Sequence, residues 1–277
     1  MLNLLLAIAS SALVSLTMRL SESKVRNNIA MLMVNYIMCA GLSWAFAGFS
    51  LPRGEDVGFM AGLSVVNGIL YLAGFVLLQH NIRVNGVVLS ATFIKLGLLV
   101  SMVVSVVFFG ERPELIQWLG FGLAVAAIVL MNFRPGEGKA GNGILLLALL
   151  LAGGGGDAMS KVFEELGNAS LSDHFLLGTF FVAFAICAAM IVMGKAGKPE
   201  KWEVIFGLVV GIPNFFSAKF LLGALTDIAA VIVYPVYSVG TILTVTLAGV
   251  VLFREKLEKR QWMALGIILL ALVLLNM

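Results

Sequence analysis

The chain has 277 residues, of which 61% are hydrophobic and 12% are charged, and its mean hydropathy is +1.05. A water-soluble domain needs charged residues at about 25% of its positions, so this composition excludes a soluble protein. The formal net charge of +3 comes from basic residues in short loops between apolar runs, where membrane topology explains them, and it gives no reason to expect a nucleic-acid partner.

Apolar runs of about 18 to 25 residues follow one another along the whole chain, which is the length a helix needs to cross a hydrocarbon core. The first run begins directly after Met1 without a basic segment or a cleavage site, which indicates a helix that is not removed. We predict an all-α integral membrane protein with ten transmembrane helices, at residues 2–18, 29–49, 57–79, 84–109, 115–133, 143–163, 174–193, 204–225, 228–253 and 261–276.

One stretch of the sequence occurs twice. Eight residues of the fifth predicted helix and the loop before it recur in the tenth at one constant spacing: Glu111, Gln117, Trp118, Gly122, Ala127, Val129, Leu130 and Asn132 match Glu255, Gln261, Trp262, Gly266, Ala271, Val273, Leu274 and Asn276. Such self-similarity is typical of an internal repeat. We therefore predict two five-helix repeats, at residues 1–133 and 142–277, joined by a loop at residues 134–141.

The two repeats are expected to have opposite orientations. Because five is an odd number, the second repeat enters the membrane from the other side, as in many secondary transporters. Most of the 18 lysines and arginines lie in loops on one face, and only Arg53, Arg112 and Lys161 lie on the opposite one. By the positive-inside rule the basic face is cytoplasmic, which places both termini outside.

Each half closes with the same three residue types, namely Glu111, Gln117 and Gly122 in the first, and Glu255, Gln261 and Gly266 in the second. The second half also has Pro235-Val236 early in its fourth helix, where the first has Ala91-Thr92. This pattern resembles the EamA-like transporters of the drug/metabolite transporter superfamily. The resemblance implies a carrier of amino acids, other metabolites or small nutrients in the cell membrane, and it implies cytoplasmic termini, in conflict with the charge distribution.

Lys95 is the strongest candidate for a substrate-binding residue. It lies near the middle of the fourth predicted helix, where a charge costs roughly 2.5 to 3.5 kcal/mol unless it faces a cavity or a partner. Thr92 precedes it by three residues and shares its helix face. The two side chains are predicted to bind an anionic or carboxylate group of a solute; alternatively, helix-end carbonyls or a buried carboxylate satisfy the lysine.

Asp157 is the only acidic residue predicted well inside a span, and it is the candidate proton site if transport is proton-coupled. Lys219 has a similar predicted depth and Lys161 follows Asp157 by four residues, so either lysine is a candidate ion-pair partner. A purely structural ion pair is the alternative. The preceding run Gly153–Gly156 favours close helix packing over local unwinding.

Further polar side chains inside the spans are candidates for the lining of a cavity, with hydrogen bonds between helices as the alternative for each. They are Asn67 and Tyr71 on the third helix, Tyr234, Tyr237 and Ser238 on the ninth, Asn35 and Tyr36 on the second, and Asn214 on the eighth. The cysteines Cys39 and Cys187 lie in apolar runs and are interpreted as packing residues, without a disulfide or a metal.

These features together predict a secondary transporter that moves a small polar metabolite, amino-acid-like, anionic or zwitterionic, across the cell membrane by alternating access. A lipid-carrier flippase, an accessory membrane subunit and a multidrug or cation exporter are the alternatives. No catalytic, metal or cofactor motif occurs, so an enzyme is not expected. The fifth and tenth helices lack polar residues at mid-span, and we expect them to act as buttresses or as a homodimer surface.

Overall fold

A computed structural model describes residues 1–21, 23–85, 90, 93–132, 142–253 and 259–275. Throughout these residues the ordered elements are helices, and no strand occurs among them. The helices are α1 (Leu2–Ser21), α2 (Asn28–Phe46), α3 (Val57–Asn85), α4 (Leu98–Phe108), α5 (Leu115–Asn132), α6 (Gly143–Leu166), α7 (Ser172–Val192), α8 (Lys201–Leu225), α9 (Ala230–Phe253) and α10 (Lys259–Leu275), with a 3-10 turn at Ala169–Leu171.

Most of these helices have the dimensions of membrane spans. Seven are long and apolar enough to cross a bilayer, namely α1, α2, α3, α6, α7 with its preceding 3-10 turn, α8 and α9. Two shorter apolar helices cover Phe93–Phe108 and Leu115–Leu130. The chain is therefore an all-helical, multi-pass membrane protein, and the number of ten spans stays a prediction.

The third helix is longer than predicted, because polar residues that look like a loop are helical. Asn81 donates from Nδ2 to the carbonyls of Leu77, at 2.9 Å, and Leu145, at 3.0 Å. Asn85 donates to Asn81 Oδ1 at 2.7 Å and accepts the backbone N–H of Asn142 at 2.8 Å. These buried amides join the end of α3 to the start of α6. The predictions that the third helix ends at residue 79 and that the fourth begins at Val84 are therefore wrong.

The chain forms two compact units, each built from both halves of the sequence. The first unit comprises residues 1–69 and 162–224, and the second comprises residues 70–161 and 225–277. The three boundaries fall inside α3, after Ile69, inside α6, after Lys161, and at the end of α8, after Ala224.

Helix pairing within each unit follows the predicted repeats. In the first unit α2 packs along α7, with Tyr36 stacked on Phe180 at 6.4 Å between ring centroids. In the second unit α4 packs on α9 and α5 packs on α10, where Gly120 lies against Leu275. Each helix of these pairs occupies the same place in its half of the sequence as its partner does. The division into repeats at 1–133 and 142–277 stays a prediction.

Close packing in the second unit depends on Gly154 of α6. A Cβ atom added there would meet the backbone of Gly97 and lie 2.8 Å from Val100 Cβ. We expect Gly154→Ala to destabilise the protein by about 1 to 3 kcal/mol through overpacking. The control is Gly122→Ala on α5, where nothing lies within 4 Å of the added atom. Thermal unfolding in detergent should show a lower transition temperature for the first variant only; equal transitions would contradict this account of the packing.

Candidate functional site

The candidate site lies in the second unit, where the helix that carries Lys95 is interrupted. Residues 93–95 are helical, residues 96–97 form a turn, and α4 begins at Leu98. Around the turn the backbone N–H groups of Gly97, Leu99 and Val100 donate to carbonyls three residues earlier. Such a tightened turn inside a helix often marks a functional hinge, and at membrane depth a broken helix is tolerated where protein or a water-filled cavity surrounds it.

The glycine run of α6 packs against this break. Ser101 Oγ donates to the carbonyl of Gly154 at 3.3 Å, and a Cβ atom on Gly153 would lie 3.2 Å from the side chain of Ile94. The run Gly153–Gly156 stays helical within α6, so its role is close packing and not local unwinding. Gly153 and Gly154 therefore allow α6, which also carries Asp157, to pack closely against the segment that carries Lys95.

Lys95 and Asp157 form a pair of opposite charges. Both side chains are half-buried, and the amino group of Lys95 and the carboxyl group of Asp157 lie close enough to interact electrostatically. Among the described residues, no hydrogen bond or salt bridge joins the two directly. Two separated opposite charges in a site of low dielectric constant attract a solute that carries both complementary groups.

Tyr234 holds the backbone beside this pair. Its hydroxyl donates a hydrogen bond to the carbonyl of Asp157, and its side chain is 1% exposed. Tyr234 therefore positions α6 against α9, and its role in substrate binding stays a prediction. Tyr237 and Ser238 on α9 and Tyr71 on α3 are half-buried in the same unit, so they remain candidates for the lining.

The predicted polar residues of the first unit are engaged between helices. Asn214 Nδ2 donates to Asn35 Oδ1 at 3.2 Å, and Cys39 Sγ lies 3.2 Å from the carbonyl of Gly211. Asn67 Nδ2 donates to the hydroxyl of Thr179 at 3.3 Å.

Tyr36 stacks on Phe180. All four predicted cavity-lining residues of the first unit therefore hold helices together, namely Asn35, Tyr36, Asn67 and Asn214. Asn67 also has a buried Oδ1 for which the described residues offer no donor. Their role in substrate binding stays a prediction.

Both candidate lysine partners of Asp157 have another carboxylate. Lys161 Nζ lies 3.0 Å from Glu111 Oε1, and the Lys161 side chain is 3% exposed. Lys219 forms a salt bridge with Asp173 and lies 4.6 Å above the ring of Phe46. These contacts favour the structural interpretation of both lysines.

Glu111 is a residue whose structural role the sequence does not reveal. Its carboxylate accepts the backbone N–H groups of Ala230, at 2.9 Å, and Val231, at 3.0 Å, in the first turn of α9. A carboxylate at a helix N-terminus is favoured by the helix dipole and by unpaired donors. A Glu matched in both halves of the sequence is the signal that points to it. Thr92, the predicted neighbour of Lys95, lies outside the described residues.

Comparison with known proteins decides the family. The family model for EamA-like transporters matches residues 1–133 and 139–277. This chain belongs to the EamA-like transporter family. The resemblance noted in the sequence is thereby confirmed, and the protein is a membrane transporter and not an enzyme.

Two relatives match this EamA-family protein over nearly its whole length. The chain is 24% identical to an uncharacterized protein of Haemophilus influenzae over 283 residues, which cover 96% of this chain and 94% of the other. A crystal structure with 14% identity superposes with a TM-score of 0.72 and covers 99% of this chain and 94% of that one. At that identity, the superposition shows the fold alone.

A shorter relative is named as an export protein. The chain is 32% identical over 98 residues to the spermidine export protein MdtI of Salmonella paratyphi B and of Salmonella newport. The match covers 34% of this chain and 85% of MdtI.

Proposed function

We propose that this EamA-family protein is a secondary transporter of a small zwitterionic metabolite, amino-acid-like, that works by alternating access in the cell membrane. The observation that carries the proposal is the pair of half-buried opposite charges, Lys95 and Asp157, beside a helix break in the second unit. Broken helices at mid-membrane form the binding sites of many transporters.

The charges favour a zwitterion over other solutes. The ammonium of Lys95 binds a carboxylate, and the carboxylate of Asp157 binds an ammonium group, so one amino-acid-like molecule satisfies both. A simple anion leaves Asp157 facing a negative charge, and a simple cation leaves Lys95 facing a positive one. Ionisable groups in a membrane are costly when unpaired, so a solute that pairs with both is bound most favourably.

Asp157 is also the proposed site of proton coupling. A carboxylate that exchanges a substrate ammonium for a proton links the movement of the two. The half-burial of Asp157 supports this role, because part of its side chain is accessible in this conformation.

Export of an organic cation is the second candidate, and the similarity to MdtI favours it. A polyamine could pair with Asp157, yet Lys95 would repel it by electrostatics. The matched segment covers about a third of this chain, so the comparison leaves the substrate of this protein open.

A ligand screen separates these candidates. The purified protein in detergent is heated with neutral amino acids, with organic anions or with spermidine, and the unfolding temperature is recorded. We expect stabilisation by at least one zwitterionic amino acid and none by spermidine, because binding to the folded state raises its stability by mass action. Stabilisation by spermidine alone would replace the proposal with cation export.

A further inference from the structure

The first unit contains an apolar groove between α1 and α8. Its volume is 520 Å³, and its walls include Leu13 and Thr17 from α1 and Val209, Pro213, Phe216 and Phe220 from α8. Leu13 is 54% exposed and Val209 is 49% exposed, so the groove is open along one side. An exposed apolar groove between two spans of a membrane protein is accessible to lipid chains.

The length of the groove fits one acyl chain. Eleven residues separate Val209 from Phe220, which corresponds to about 16 Å along the helix axis, roughly half of a hydrocarbon core of about 30 Å. The groove therefore extends through about one leaflet of the bilayer.

One end of the groove carries positive charge. Trp202 precedes Val209 by two helical turns and lies on the same face of α8. The Nζ atoms of Lys24 and Lys201 lie 4.3 Å and 5.9 Å from the centroid of the Trp202 ring, and both lysines are exposed. Tryptophan and lysine side chains in this arrangement are typical of the headgroup level of a membrane.

We propose that the groove binds one acyl chain of an anionic phospholipid, with the phosphate of its headgroup at Lys24 and Lys201. Charge complementarity decides between lipids, because an anionic headgroup pairs with both lysines, whereas a net-neutral headgroup gains little from them. The lipid is a resident partner of the transporter and is separate from its solute site.

The test compares two lipids on the purified full-length chain by native mass spectrometry. We expect dioleoyl phosphatidylglycerol to bind about 30-fold more tightly than dioleoyl phosphatidylcholine, since each basic residue near the headgroup contributes about a fivefold preference. The double variant Lys24→Gln/Lys201→Gln should lose this preference. The control Arg53→Gln/Arg112→Gln removes the same charge from other exposed positions and should keep it.

A second variant tests the groove itself. Leu13→Trp fills the groove and should reduce the binding of both lipids, whereas Leu147→Trp, at a lipid-facing position 53% exposed on α6, should not. Equal binding of the two lipids by the wild-type chain, or a preference that survives Lys24→Gln/Lys201→Gln, would overturn the proposal.

A transport assay distinguishes a resident lipid from a cargo. In proteoliposomes, fluorescent phosphatidylglycerol should stay in its leaflet; protein-dependent transfer between leaflets would overturn the proposal in favour of a flippase. Uptake of the zwitterion measured in the same vesicles should persist in Lys24→Gln/Lys201→Gln. The proposed lipid site and the proposed solute site are therefore tested independently of each other.

Discussion

Lys95→Gln and Asp157→Asn are each expected to weaken solute binding by about tenfold to a hundredfold, because each removes one charge-assisted contact worth about 1.5 to 3 kcal/mol. Both substitutions preserve the size of the side chain more closely than alanine does. The affinity is measured on the purified protein by the dependence of its unfolding temperature on solute concentration.

The matched controls are Lys219→Gln and Asp173→Asn, which neutralise a salt bridge of the first unit. These variants should keep the affinity of the wild type, although their stability falls. If Lys95→Gln binds the zwitterion as tightly as the wild-type protein does, the assignment of the site is wrong. If Lys95→Gln gains affinity for spermidine, the site selects cations once the repelling charge is gone, which agrees with the electrostatic argument.

Glu111→Gln is expected to destabilise the protein by about 3 kcal/mol, because it leaves the buried ammonium of Lys161 without this carboxylate. It also replaces a charged acceptor at the start of α9 by a neutral one. Unfolding in mixed micelles with increasing dodecyl sulfate measures the loss.

The double variant Glu111→Gln/Lys161→Met should recover much of the lost stability, because it removes the buried ammonium of Lys161 as well as the carboxylate of Glu111. Glu114→Gln is the control, since Glu114 is an exposed carboxylate in the same loop, and its unfolding transition should match that of the wild type. Additive losses from Glu111→Gln and Lys161→Met would show that the ion pair does not couple the two residues.

Hydrophobicity alone predicts most of the spans, because a run of apolar residues such as that of α7 has no stable position outside the bilayer. The end of α3 could not be predicted in this way. Asn81 and Asn85 are polar in sequence, and only their hydrogen bonds to the start of α6 make a buried helix out of them.

The sequence marks the residues of the candidate site individually, but it does not predict which side chains pair with one another. A charge deep in a span marks Lys95 and Asp157 individually, since each is costly without a function. Depth along a helix does not determine which helices are neighbours, so Lys219 and Lys161 are equally good partners for Asp157 in sequence. In the structure Lys161 forms its salt bridge with Glu111. Glu111 lies in a loop, so a search for charges inside the spans does not find it.

Counterflow in proteoliposomes tests the central claim most directly. Vesicles that contain the protein are loaded with an unlabelled neutral amino acid identified by the ligand screen, and the entry of the same labelled molecule is followed. The account predicts transient accumulation by the wild-type protein, no competition by spermidine, and no accumulation by Lys95→Gln at the same protein density. Accumulation that is unchanged in Lys95→Gln, or that spermidine abolishes, would contradict it.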